Sequence, residues 1–144
     1  YERRGDTDAA IQHYARAVAL VPNMAKGHNN LGAALKAMGR FQQALTHYRR
    51  AVEIDSGYVL AHKNLALLLV DLGDPVAAVD HLVAIARLRP DDRQAQYAAG
   101  KALQAIERWE AAVASYRRAL AIDPNFAAAR QSLAGVLQQK DAQF

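Results

Sequence analysis

The sequence contains no cysteine, and it has few aromatic residues, few prolines and no long apolar run. Without cysteine, the 144-residue chain can form neither a disulfide framework nor a thiolate metal site. The longest apolar run, residues 65–70, is far shorter than the roughly 18 residues of a membrane helix. Aromatic residues make up 7% of a composition that is 52% hydrophobic and rich in alanine. This composition favours closely packed helices over a β-sandwich and excludes a disordered chain.

The sequence offers little that points to catalysis. The net charge of +4 is too small by itself to indicate nucleic-acid binding. No glycine-rich phosphate loop, His-Glu-x-x-His pair or Gly-x-Ser-x-Gly element occurs. We therefore predict a non-enzymatic chain with no cofactor, no metal site and no membrane span. The expected location is the cytoplasm, or the periplasm if a leader has been removed.

A period of 34 residues runs through the chain. Residues of one type recur at this interval, as in Ala10, Ala44, Ala78 and Ala112, in Leu35, Leu69, Leu103 and Leu137, and in Gly5, Gly39 and Gly73. Such a period is typical of helical repeat proteins, in which stacked helix pairs share one core. Apolar residues recur every three or four positions within each cycle, which predicts two helices per repeat. First-type helices are predicted at residues 25–38, 59–72, 93–106 and 127–139, and second-type helices at 7–20, 41–54, 75–88 and 109–122.

The repeated residues resemble the pattern of the tetratricopeptide repeat (TPR) family. The pattern is carried by Leu31, Gly32, Leu35, Gly39, Ala44, Tyr48, Ala51 and Ser56, with the family's proline slot filled by Pro22, Pro90 and Pro124. The departures are His28 and His62 for tryptophan, Ser56 for proline and Glu107 for glycine. The resemblance implies an all-α, right-handed αα-superhelix of about eight antiparallel helices. It divides the chain into a partial repeat (1–24, with Tyr1 near the end of a first-type helix), full repeats (25–58, 59–92 and 93–126) and a final helix (127–144).

In this family the first-type helices line a concave groove that holds the ligand. The resemblance assigns nine groove residues, mostly lysines and amides: Lys26, Asn29, Asn30, Lys36, Lys63, Asn64, Tyr97, Lys101 and Gln131. Leu60, Leu67 and Val70 are expected to supply an apolar floor, and Asp71 is the one acid in the set. Such a groove fits a peptide or protein partner with acidic character and an apolar anchor. The alternative is that these are ordinary solvated helix residues.

The predicted groove residues match those of two TPR subfamilies only in part. Chaperone-adaptor repeats hold a terminal carboxylate, and Lys63 matches their first lysine, but Leu67 and Ala98 stand where they need asparagine. The segments 28–32 and 126–139 are similar to repeats of O-linked N-acetylglucosamine transferases, whose asparagine ladder is matched at Asn30 and Asn64 only. The leading hypothesis is therefore a protein-interaction scaffold, and the alternative is the substrate-recognition region of a larger transferase of that kind.

The remaining features have structural interpretations. The histidines form two ladders (His13, His47 and His81; His28 and His62) whose members lie a full repeat apart, so we interpret them as packing residues and not as a metal site. Arg49-Arg50 and Arg117-Arg118 predict a solvated outer face, with contact to an acidic surface or to nucleic acid as the alternatives. No capping helix is visible, and Leu133, Val136 and Leu137 are expected to lack cover. We expect the chain to continue, to fray or to self-associate at its ends.

Overall fold

A computed structural model describes residues 2–143, and within that range it contains eight α-helices and no strand. The helices form two compact units that divide after Asp71. The first unit holds α1 (Glu2–Leu20), α2 (Ala25–Ala37), α3 (Phe41–Ile54) and α4 (Val59–Asp71). The second unit holds α5 (Pro75–Leu88), α6 (Arg93–Ala105), α7 (Trp109–Ile122) and α8 (Ala127–Gln143). None of the helices in the described part is long and apolar enough to cross a membrane.

The predicted all-α fold is confirmed, and the bounds of α2 to α7 agree with the predicted ones to within one residue. The helix predicted to begin at Thr7 is longer, because α1 continues through Gly5 and begins at Glu2. No atom lies within 4 Å of a Cβ placed on Gly5, so no packing contact interrupts the helix there. Tyr1 lies outside the described residues. The division of the chain into repeats stays a prediction.

The turns that follow α2 and α6 have the same hydrogen-bond pattern. After α2, the amide of Gly39 donates to Lys36 and that of Arg40 donates to Leu35, with distances of 2.9 Å. Gly39 adopts a φ of 75°, which glycine accepts without steric cost. After α6, the turn needs the same left-handed conformation, but Glu107 occupies the position with a φ of 62°. This turn therefore carries backbone strain that glycine would remove.

Within each unit, one tyrosine ring lies directly on the backbone of a neighbouring helix. A Cβ on Gly32 would lie 2.7 Å from Cδ1 of Tyr48, and a Cβ on Gly100 would lie 2.6 Å from Cε1 of Tyr116. Both rings are buried. Glycine at these two positions is therefore a packing requirement, because any side chain would displace a buried ring.

The last helix is better covered than the sequence predicts. Val136 is 0% exposed and belongs to the core of the second unit, together with Tyr116, Val113 and Leu103. Leu133 packs at the edge of this core, and Leu137 remains exposed. The expectation that Val136 lacks cover is wrong, because contacts with α7 and α6 already bury that face of α8.

Candidate functional site

The first unit holds six of the nine predicted groove residues, all on α2 and α4. Lys26 and Lys63 are exposed, and Asn30, Lys36 and Asn64 are half-buried. Asn29 is 2% exposed and lies in the interior. Two contacts join the helices here, an asparagine pair and an ion pair. We refer to this surface as the α2–α4 face.

The asparagine pair has a structural role. Nδ2 of Asn64 donates to Oδ1 of Asn29 at 3.0 Å, and Nδ2 of Asn29 donates to the hydroxyl of Tyr58 at 3.5 Å. A buried amide without partners would cost free energy, so these bonds stabilise the interior position of Asn29. The amide of Asn29 already has partners on α4 and on the preceding loop. Any role for it in partner binding stays a prediction.

The charges on the α2–α4 face do not all remain available. The ammonium of Lys36 lies 3.9 Å from the carboxylate of Asp71, so these two charges compensate each other. Among the side chains of residues 4–142, Lys26 and Lys63 form no ion pair. The face therefore has two uncompensated positive charges.

An apolar stripe accompanies these charges on α4. Leu60, Leu67 and Val70 are 51%, 49% and 51% exposed. Their spacing places them on one side of the helix, with Lys63 between Leu60 and Leu67. Most other apolar residues of α4 are buried, so this α4 stripe (Leu60, Lys63, Leu67 and Val70) is what the helix presents to solvent.

In the second unit, the predicted groove residues differ in their surroundings. Lys101 on α6 and Gln131 on α8 are exposed. The ring of Tyr97 is half-buried and packs against two aromatic rings, 5.2 Å from the centroid of Phe126 and 5.8 Å from that of Tyr116. Tyr97 is therefore held at the edge of the core, and only part of its ring can contact a partner.

The phenol of Tyr116 has a pKa well above its usual value. Its hydroxyl donates to Oε1 of Gln104 at 2.6 Å. Burial raises the pKa of Tyr116 to about 12, although a hydrogen bond with Ser132 acts in the opposite direction. The phenol is therefore protonated at neutral pH and can donate its hydrogen bond to Gln104.

His28 and His47 form a ring contact that was not predicted from the sequence. Nδ1 of His28 lies 3.1 Å from Nδ1 of His47, and the two rings are stacked with centroids 5.3 Å apart. Nε2 of His28 lies 2.8 Å from the carbonyl oxygen of Pro22 and must donate to it. In the neutral pair, Nδ1 of His28 therefore accepts the proton of His47. The constant interval of 19 residues between the two histidine ladders was the signal that could have predicted this contact.

Among the described residues, the histidine pair lacks the further ligands of a metal site. Both ring nitrogens of His28 already have hydrogen-bond partners. Burial, and secondarily the charge of His28, lowers the pKa of His47. Across the described residues, no group of three or more metal-ligating side chains comes together.

The paired helices, the glycine–tyrosine contacts and the 34-residue period define an all-α repeat protein. Family profiles assign the repeat. A TPR repeat profile matches residues 1–39, and tetratricopeptide repeat profiles match residues 25–58 and 63–127. The chain belongs to the tetratricopeptide repeat family.

Solved structures show the same fold. MamA from Desulfovibrio magneticus RS-1 has 23% identity and a TM-score of 0.71, over 96% of this chain and 78% of that one. YrrB, described as a TPR protein with an unusual peptide-binding site, has 19% identity and a TM-score of 0.78, over 95% and 71%. The first TPR of Spaghetti (RPAP3), bound to the HSP90 peptide SRMEEVD, has 21% identity and a TM-score of 0.63, over 81% and 93%. No curated protein sequence matches the chain. The predicted TPR fold is thus confirmed.

Proposed function

We propose that the chain is a protein-interaction scaffold whose α2–α4 face binds an acidic peptide segment with an apolar anchor. The observation that carries the proposal is the α4 stripe, in which three exposed apolar side chains surround an unpaired lysine. Apolar area of this kind gains free energy when a partner covers it, by about 25 cal/mol per Å². Lys26 and Lys63 add attraction for carboxylates and reject basic partners.

The family membership supports an interaction role, because TPR proteins generally act as scaffolds and not as enzymes. Two of the similar structures are described in terms of peptide binding, and the Spaghetti repeat holds the peptide SRMEEVD, which contains three acidic residues. In this chain Leu67 and Ala98 occupy the asparagine positions of a carboxylate clamp. The proposed recognition therefore relies on internal carboxylates and apolar contact, and not on a terminal carboxylate.

The test is a titration with a labelled ten-residue peptide of glutamate and aspartate with two central leucines, followed by fluorescence anisotropy. We expect saturable binding that Lys63→Glu and Leu67→Ser each weaken at least fivefold. The matched control is Arg16→Glu on α1, an exposed residue with the same change of charge, which should change Kd less than twofold. A second control peptide replaces the leucines with serine and should bind weakly. Equal losses in Arg16→Glu and Lys63→Glu would show non-specific charge attraction and contradict the proposal.

Several sequence-based predictions accompany this proposal. They are a non-enzymatic role, a cytoplasmic location, and self-association through the terminal helices. The alternative to the scaffold hypothesis also stays a prediction. In it, the chain is the substrate-recognition region of an O-linked N-acetylglucosamine transferase-like enzyme. Sedimentation of the full chain over a range of concentrations tests the self-association.

A further inference from the structure

The second unit contains a cavity of about 740 Å³ between α5 and α7, with α6 beneath it. Its apolar lining includes Val79, Val83 and Leu103. Three arginines also line it (Arg87, Arg108 and Arg118), together with one acid, Asp80. The cavity is remote in sequence from the α2–α4 face, and it is formed mainly by second-type helices.

This cavity has a larger volume than its counterpart in the first unit, where bulkier side chains stand at some of the same repeat positions. Two repeats earlier, the matching cavity is lined by His28, His47 and Thr46 and measures only about 470 Å³. Gln96, Ser115 and Ala114 occupy those positions in the second unit. Gln96 stands at the position of His28, and its Nε2 donates to the carbonyl of Ala86 at 2.9 Å and lies 3.5 Å from the carbonyl of Pro90, the counterpart of Pro22. Ser115 carries no ring at the position of His47, and it is buried, so the accessible part of the cavity lies along Val83, Ala111 and Ala114.

The arginines of this cavity are unpaired. In the first unit, Arg50 is bonded to Glu53 at 3.3 Å and to Asn23 at 3.2 Å. Its counterpart is Arg118, for which Ala121 stands at the glutamate position. Asp91 stands at the asparagine position, and no ion pair joins it to Arg118. With the side chains of residues 4–142, neither Arg87 nor Arg108 forms an ion pair or a hydrogen bond.

The arrangement of charge gives the cavity a direction. The short loops on either side of α6 make α5 and α7 run the same way. Arg87 and Arg118 both lie in the C-terminal part of their helices, so they mark one end, whereas Asp80 and Arg108 mark the other. The ten residues from Arg108 to Arg118 span roughly 15 Å at 1.5 Å per residue. The end marked by Arg87 and Arg118 is therefore positive. The distance between the two ends fits a short peptide segment.

We propose that this cavity is a second binding site, which takes an acidic segment of a protein partner with one large aromatic side chain. The aromatic ring packs against the accessible apolar side chains of Val83, Ala111 and Ala114, and carboxylates beside it pair with Arg87 and Arg118. The volume lies within the usual range of ligand sites, about 300–1,000 Å³. Nucleic acid fits less well, because none of the lining residues in the described part is aromatic and able to stack a base. The site does not depend on the α2–α4 face.

The test uses the full chain and a ten-residue peptide of glutamate and aspartate with one central 5-fluorotryptophan. The ¹⁹F signal of the peptide is expected to shift and broaden on binding, because the ring leaves water. The double variant Arg87→Gln/Arg118→Gln should raise Kd at least tenfold. The variant Ala111→Gln/Ala114→Thr restores the residues of the first unit and should also raise Kd at least fivefold, since it reduces the space.

The matched control is Arg89→Gln/Arg117→Gln, which removes the same charge from neighbouring exposed positions that do not line the cavity. It should change Kd less than twofold. Because the α2–α4 face is also proposed to attract acidic peptides, each titration is repeated in the Lys63→Glu background, where the cavity should still bind the peptide. Loss in Lys63→Glu with full binding by Arg87→Gln/Arg118→Gln would place the peptide on the α2–α4 face and overturn this proposal alone. No saturable ¹⁹F shift, equal loss in the control, or preferential binding of a single-stranded oligonucleotide would also overturn it.

Discussion

The contact between Gly100 and Tyr116 makes the strongest stability prediction. In Gly100→Ala, the new Cβ would lie 2.6 Å from Cε1, 2.8 Å from Cδ1 and 3.1 Å from Cζ of the ring. The ring is 0% exposed, so it can move only by displacing core neighbours. Overpacking of this kind costs about 1–3 kcal/mol. The gain in helix propensity from glycine to alanine offsets about 1 kcal/mol, which leaves a net loss of up to about 2 kcal/mol.

Gly135→Ala on α8 is the control, because no atom lies within 4 Å of its Cβ. It should gain about 1 kcal/mol from helix propensity alone. Urea unfolding followed by circular dichroism gives both free energies of unfolding, and the two variants should differ by about 1–3 kcal/mol. Equal free energies in the two variants would refute the packing argument. In the second repeat, Ala66 and Leu82 stand at the matching positions, so Tyr116→Leu should relieve part of the cost of Gly100→Ala in a double-mutant cycle.

Three further predictions concern other contacts. Ala44→Leu should lose about 1–3 kcal/mol by overpacking a fully buried position, whereas Ala15→Leu on the exposed side of α1 should stay within about 0.5 kcal/mol, both measured by urea unfolding. Glu107→Gly should gain about 1 kcal/mol by relieving the left-handed backbone, and an unchanged thermal midpoint would contradict that strain. The lowered pKa of His47 means that the unfolded chain binds a proton more readily, so its contribution to stability is present above pH 6.5 and is lost as the pH falls through the lowered pKa. His47→Gln should therefore lose less stability than the parent chain between pH 7.5 and pH 5, and parallel urea midpoints would contradict this.

Most of the fold could be predicted from the sequence, because each repeat marks its own turns and contacts. Gly39 predicts a positive φ, and the alanine ladder predicts close packing, as at Ala44, which is 0% exposed. Gly5 shows the limit of this reasoning. A glycine permits a turn but does not require one. No neighbouring side chain packs at Gly5, and the helix continues through it.

The candidate sites could be predicted only in part. The family resemblance placed Lys63, Leu60 and Leu67 on one side of α4, and all three are exposed there. The interior position of Asn29 and the half-buried position of Tyr97 could not be predicted in this way, because they depend on contacts with Asn64 and Phe126. The cavity of the second unit also could not be predicted from the sequence. A smaller side chain leaves a cavity only where the neighbouring residues do not fill the space.

The glycine–tyrosine contact also limits how this chain can be rearranged. Gly32 with Tyr48, and Gly100 with Tyr116, are matched pairs that lie on consecutive helices, α2 with α3 and α6 with α7. Exchanging α2 with α6 would keep a glycine under each ring, whereas moving α4 into either place would put Ala66 there. Recombination between repeats should therefore succeed when whole hairpins or like helices are exchanged, and fail when an alanine-bearing helix meets a tyrosine. The glycine–tyrosine pairs therefore determine which repeats of a repeat protein can replace one another without steric conflict.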